Sequence, residues 1–123
     1  MAVDSLSGVD AVADFFERFN AKDFSGIRNL MASGYSYAEP MFPELRDADA
    51  HVELVKQVAR ERPDRRIEVS RRLPGADGAV VEATWSGTPA EGGETLRLAC
   101  VFAFDLDANG QITRLRGYYA APH

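Results

Sequence analysis

Apolar residues recur at three- and four-residue steps along the first half of this chain and alternate with polar ones along the second. Val9, Val12, Phe16 and Phe19 make one helical stripe, and the S-x-x-D pattern from Ser7 to Asp10 predicts its start. Asp23 is placed to cap a short second helix carrying Ile27, Leu30 and Met31, which Gly34 would end. Asp47 or Asp49 would cap a third helix, with Val52, Val55, Val58 and Ala59 on its buried side and Pro63 stopping it.

Beyond Pro63 the period changes to two. Ile67, Val69 and Leu73 alternate with polar residues, and "PGADG" turns the chain. Val81, Ala83 and Trp85 alternate with Glu82, Thr84 and Ser86. The longest strand runs near Thr95 to Asp105, with Leu98, Cys100, Phe102 and Phe104 on one face. Its other face holds Arg97, Ala99, Val101 and Ala103. "DANG" is a hairpin turn, and the last strand runs from Ile112 to Tyr119. The expectation is an α+β fold: three helices before and between the strands of a mostly antiparallel sheet. Both faces of the longest strand are apolar enough to need cover. One packs on helices, and a second copy of the chain is the simplest cover for the other, so a homodimer is expected.

At 123 residues and 46% hydrophobic content the chain fits one domain, residues 1–123, with a real core. A net charge of -5 argues against nucleic acid or an anionic membrane as partner. No apolar run approaches a membrane span, and the first ten residues lack the pattern of a secretion signal, so a cytoplasmic location is expected. Cys100 is the single cysteine, which excludes an internal disulfide. His51 and His123 have no ligand-spaced partners, so no metal site is expected. His51, near the start of the third helix, is expected to be exposed.

Candidate chemistry centres on "YSYAEP". In a strand Tyr35, Tyr37 and Glu39 share one face while Ser36 and Ala38 take the other. If that face is wet, Glu39 is an ordinary surface acid. If it lines a cavity, Glu39 is a candidate general base, and the tyrosine hydroxyls can orient a substrate oxygen.

The order of elements resembles the nuclear-transport-factor-2-like superfamily, a cystatin-like α+β cone formed by a curved sheet wrapped with helices. The resemblance rests on "FFERFNAKDFSGIRNLM", the strand ending "EP", the "TWSGT" strand end and the closing "VFAFDLDANGQITRLRGYY". Within it the chain looks most like SnoaL-like polyketide cyclases, ketosteroid isomerases and limonene-epoxide-hydrolase-like enzymes. Glu39-Pro40 stands where the isomerases carry their catalytic acid. Phe15 stands where they carry a tyrosine donor, and Cys100 where they carry a protonated aspartate. Gly117 stands where cyclases and epoxide hydrolases carry an acid on the last strand; glycine removes that acid and opens space above the sheet.

The resemblance implies a cofactor-independent enzyme, a cyclase, isomerase or dehydratase acting on a small, apolar, oxygenated molecule through Glu39. Tyr35, Tyr37 and Tyr119 would position the substrate. Trp85, Phe102, Phe104, Cys100 and Gly117 would wall it. The alternative is a ligand-binding or assembly domain of the same fold without chemistry, favoured by the residues at Phe15, Cys100 and Gly117. A cavity that reaches Glu39 discriminates between a wet face and a pocket.

Overall fold

Three aspartates set the helix starts. In the computed structural model, which describes residues 10–40 and 42–120, Asp10 opens α1 (Ala11–Ala21), its carboxylate accepting from the Ala13 amide at 3.1 Å. Asp23 does the same for α2 (Phe24–Asn29) through Gly26, and Asp47 for α3 (Ala48–Glu61) through Ala50. Each carboxylate satisfies an amide that has no partner inside its own helix. Ser7, Val9 and His123 lie outside the described residues. Lys22, at φ 60, closes α1 in the left-handed conformation.

The strands are β1 (Met31–Glu39), β2 (Phe42–Arg46), β3 (Arg66–Gly75), β4 (Gly78–Gly87), β5 (Leu96–Leu106) and β6 (Ile112–Tyr119). They form one curved sheet in the order β2-β1-β6-β5-β4-β3. Neighbours are antiparallel except β1 and β6, which run parallel. The expected α+β architecture is present. Among the described residues no helix is long and apolar enough to cross a membrane.

Three local expectations change. Gly34 does not end a helix: α2 stops at Asn29, and Gly34 sits inside β1 at φ 80, where the β1–β6 register shifts. Phe42–Arg46, with its Pro43, forms a strand that no alternation announces. In β3 a bulge between Val69 and Arg71 moves Leu73 opposite Val80 on the outer face, and both are exposed.

The helices cover one face of the sheet. Phe15 and Phe16 of α1 meet Phe104 edge-on at 5.6 Å, and Phe16 meets Phe102 at 5.5 Å. The end of α1 is tied to β3 twice over. Asn20 donates to the Ile67 carbonyl and accepts from the Ile67 amide, at 2.9 and 2.8 Å. Arg65, buried just before β3, lies over the Phe19 ring and donates at 2.5 Å to the Phe19 carbonyl, which also accepts from the Lys22 amide at 3.2 Å.

Candidate active site

β1 delivers the tyrosine face as the alternation requires. Tyr35 and Tyr37 are each 3% exposed, and Glu39 is partly exposed at the strand end. The Tyr37 hydroxyl donates a short hydrogen bond to the Glu39 carboxylate two residues on. It reaches that position because Gly117 faces it across the sheet. A Cβ built on Gly117 would stand 2.9 Å from the Tyr37 hydroxyl oxygen. The Tyr37 hydroxyl takes part of the space expected above Gly117, and the cavity reaches the rest.

Behind Tyr37 lies a residue expected to be exposed. His51 is 4% exposed, in the first turns of α3, one helical turn from Val55 and so on the buried stripe. Its ring stacks on Tyr37 at 3.8 Å, and its Nδ1 is hydrogen-bonded to the Tyr35 hydroxyl at 2.7 Å. Burial, with Arg46 adding to it, pulls the His51 pKa down to about 3. The imidazole is neutral at physiological pH. It serves as packing and hydrogen-bond support for the tyrosines.

A cavity of about 460 Å³ opens over this arrangement. Tyr37, Glu39, Gly117 and Tyr119 line its polar end, together with Glu44 and Arg46 from β2. Trp85, Leu96, Leu98, Leu54 and Val58 line its apolar side. The cavity thus reaches Glu39. Burial raises the pKa of Tyr37, Tyr119 and Tyr35, so all three keep their protons through neutral pH; for Tyr37 and Tyr119 the nearby Glu39 carboxylate adds to the rise.

Tyr35 is expected to position the substrate and Cys100, Phe102 and Phe104 to wall it, but the structure places all four behind the cavity lining. Phe102 and Phe104 are covered by the α1 phenylalanines. Tyr35 is turned to His51. Cys100 is buried, and burial pushes its thiol up to about 11, so it is neither thiolate nor cavity wall. Phe15, also buried, offers no donor. Glu44 and Arg46 are absent from the sequence expectation because β2 is. Among the described residues no cluster of His, Cys, Asp and Glu could hold a metal ion.

A family model described as a SnoaL-like domain matches residues 12–115. Several solved structures share the fold. A Catenulispora acidiphila protein of ketosteroid-isomerase-like fold, in complex with trimethylamine, superposes with a TM-score of 0.80 at 11% identity, over 90% of this chain and 85% of that one. An NTF2-like protein from Exiguobacterium gives 0.79 at 18%, over 91% and 99%. An LEH-like epoxide hydrolase from M. tuberculosis gives 0.77 at 17%, over 89% and 80%. At such identities the likeness establishes the fold. No curated protein sequence matches the chain.

Proposed function

The chain belongs to the SnoaL-like domain family, and on that footing we propose that it is an enzyme moving a proton on a small, apolar, oxygenated molecule, with Glu39 as the base. The observation that carries this reading is the Tyr37–Glu39 hydrogen bond at the polar end of a largely apolar cavity. A carboxylate has more acceptor sites than Tyr37 fills, so one Glu39 oxygen can still take a proton.

For a ketone, the reaction is removal of a proton from the carbon beside the carbonyl. The C–H bond breaks, its proton goes to Glu39, and its electron pair moves onto the carbonyl oxygen as an enolate. Tyr119, which lines the cavity and keeps its proton, can donate to that oxygen. Return of the proton to a different carbon completes an isomerisation; expulsion of a β-hydroxyl, which takes the proton from Glu39 and leaves as water, completes a dehydration. Positioned base catalysis of this kind contributes about 10²–10⁴-fold. The donor places of the ketosteroid isomerases are filled by Phe15 and by the protonated thiol of Cys100, so the oxygen must be held from the Tyr119 side instead. Sequence resemblance and cavity polarity support a cyclase, isomerase or dehydratase within this class.

The test is hydrogen–deuterium exchange of β-tetralone in heavy water, followed by proton NMR. Wild type should exchange the carbon-bound hydrogens next to the carbonyl faster than buffer. Glu39→Gln, which still accepts from Tyr37, should fold and lose the exchange. Exchange that survives in Glu39→Gln counts against the reading. One observation favours the second reading, a binding domain without chemistry: Phe15 and the protonated Cys100 leave the isomerases' donor places without a strong donor. Tetralone that binds to wild type without exchanging would decide for it.

A further inference from the structure

Arg46 stands directly opposite Tyr37 in the β1–β2 pairing, so both side chains lie on the inner face of the sheet. It lines the cavity, and it is partly buried. Among the described residues no ion pair and no hydrogen bond engages its guanidinium, although five arginine–carboxylate or lysine–carboxylate pairs form elsewhere. A planar fork of five donors at the cavity wall, engaged by no acceptor among the described residues, can take one from a bound molecule. Its charge also falls on His51, whose neutrality it reinforces.

We infer that Arg46 anchors a carboxylate of the ligand, so that the substrate is an apolar ring compound bearing a free acid. This rests on the reading of the cavity as a substrate site. The acid would sit at the β2 end against Arg46, and the apolar body would run between Leu54 and Val58 on one side and Trp85 and Leu98 on the other. Guanidinium and carboxylate match in charge and in planar, two-point geometry. A doubly charged phosphate fits less well, because a single arginine would have to hold it beside Glu39 and Glu44.

The same two carboxylates raise the opposite possibility, an organic cation among aromatic walls. Four features weigh against it. Glu39 already accepts from Tyr37. Glu44 is exposed at the rim, where water and salt weaken its field. Trp85 already has the Arg62 guanidinium over its ring, 6.0 Å from the centroid, and Arg46 itself repels a cation.

Calorimetric titration with three probes of one shape tests this: naphthoate, neutral naphthamide and naphthylmethylammonium. Wild type should bind naphthoate about tenfold or more tightly than naphthamide, the scale of one charge-assisted contact. Arg46→Met should erase that ratio, so that naphthoate and naphthamide bind the variant alike. Equal affinity for naphthoate and naphthamide in wild type, a preference for the ammonium probe, or a ratio that survives Arg46→Met would each overturn the inference. In all three cases naphthamide binding leaves the proposed function standing. Failure of every probe to bind would overturn both.

Discussion

The imidazole of His51 lies flat on the phenol ring of Tyr37, with centroids 3.8 Å apart and planes 6° from parallel. On its other side of contact the same imidazole is hydrogen-bonded to the Tyr35 hydroxyl. Two tyrosines of β1 are thus held by one residue of α3, and the hydroxyl of the nearer one reaches Glu39. The geometry of the acid at the cavity depends on a group that never faces the cavity chemistry.

This support is sensitive to acid. His51 is pulled down to about 3 in the fold, against an ordinary value of 6.5. As pH falls below 6.5, the unfolded chain takes up a proton that the native state refuses until about 3. The stability contributed by neutral His51 is therefore complete above 6.5 and is lost as pH falls toward 3. Where only the unfolded chain is protonated, the loss is about 1.4 kcal/mol per pH unit. His51→Phe keeps the ring and removes the titration. Its urea midpoint should be lower than that of wild type at neutral pH, since Tyr35 loses its partner at a cost of about 1–3 kcal/mol. The two midpoints should then converge on acidification. Curves that stay parallel would show that the imidazole has no part in acid sensitivity.

Gly117 and Tyr37 make a second coupled pair. A methyl at Gly117 would sit 2.9 Å from the Tyr37 hydroxyl oxygen and 3.3 and 3.4 Å from the rings of Tyr119 and Phe102. Gly117→Ala should destabilise the fold by about 1–3 kcal/mol, as overpacking does. Tyr37→Phe removes the hydroxyl that the methyl strikes. In the double variant the penalty of Gly117→Ala should shrink, while the ring contacts keep it above zero. Denaturation curves for the four proteins of the cycle measure this coupling directly. Strict additivity would mean that the hydroxyl does not sit where the glycine lets it.

The alternation of "YSYAE" is legible without a structure, because a strand backbone dictates which side chains share a face. The same holds for Val81, Ala83 and Trp85 and for the capping Asp23 and Asp47, whereas Asp10, expected to end the S-x-x-D pattern, is itself the cap of α1. Legibility fails where one residue changes the count. Gly34 and the bulge before Arg71 each shift a register, so Leu73 leaves the face its spacing assigns. His51 is on the buried stripe of α3 by its four-residue step to Val55, yet its polarity hides it. β2 has five residues, one of them Pro43, and no period; Glu44 and Arg46 at the cavity are invisible with it. The polar end of the cavity is a product of pairing between strands, and pairing is what a single sequence encodes least locally.

Asn20 gives a test of how the helices are hung on the sheet. Its amide group exchanges both hydrogen bonds with the Ile67 backbone, as a neighbouring strand would. Asn20→Ala leaves a partly buried N–H and C=O without those partners, at about 1–3 kcal/mol. Asn20→Asp should be comparably harmful, since a carboxylate accepts from the Ile67 amide but has no N–H for its carbonyl. An aspartate variant as stable as wild type in urea denaturation would show that the donor half of the clamp contributes nothing.

The outer face of the sheet carries the remaining prediction. Strand register sets Leu73, Val80 and Ala103 in one row across β3, β4 and β5, and Glu82, Val101 and Tyr118 in the next. Tyr118, Leu73 and Val80 are 43, 41 and 38% exposed, on the side away from the helices. Exposed apolar side chains spread over a sheet face, here between Arg71, Glu82 and Arg116, are a common mark of a covered surface. We propose that a second copy of the chain covers it, burying Val101 and Tyr118 near a two-fold axis. Sedimentation at micromolar concentration should give twice the 13.5 kDa chain mass. Val101→Lys is the discriminating variant. In the single chain the lysine lies opposite Glu82 and is tolerated, so the melting behaviour of the isolated subunit should be kept. Across the axis two lysines would meet in a drying interface, and the dimer should dissociate. A wild-type chain that sediments at its single-chain mass, or a lysine variant that still dimerises, would leave the outer face as plain surface.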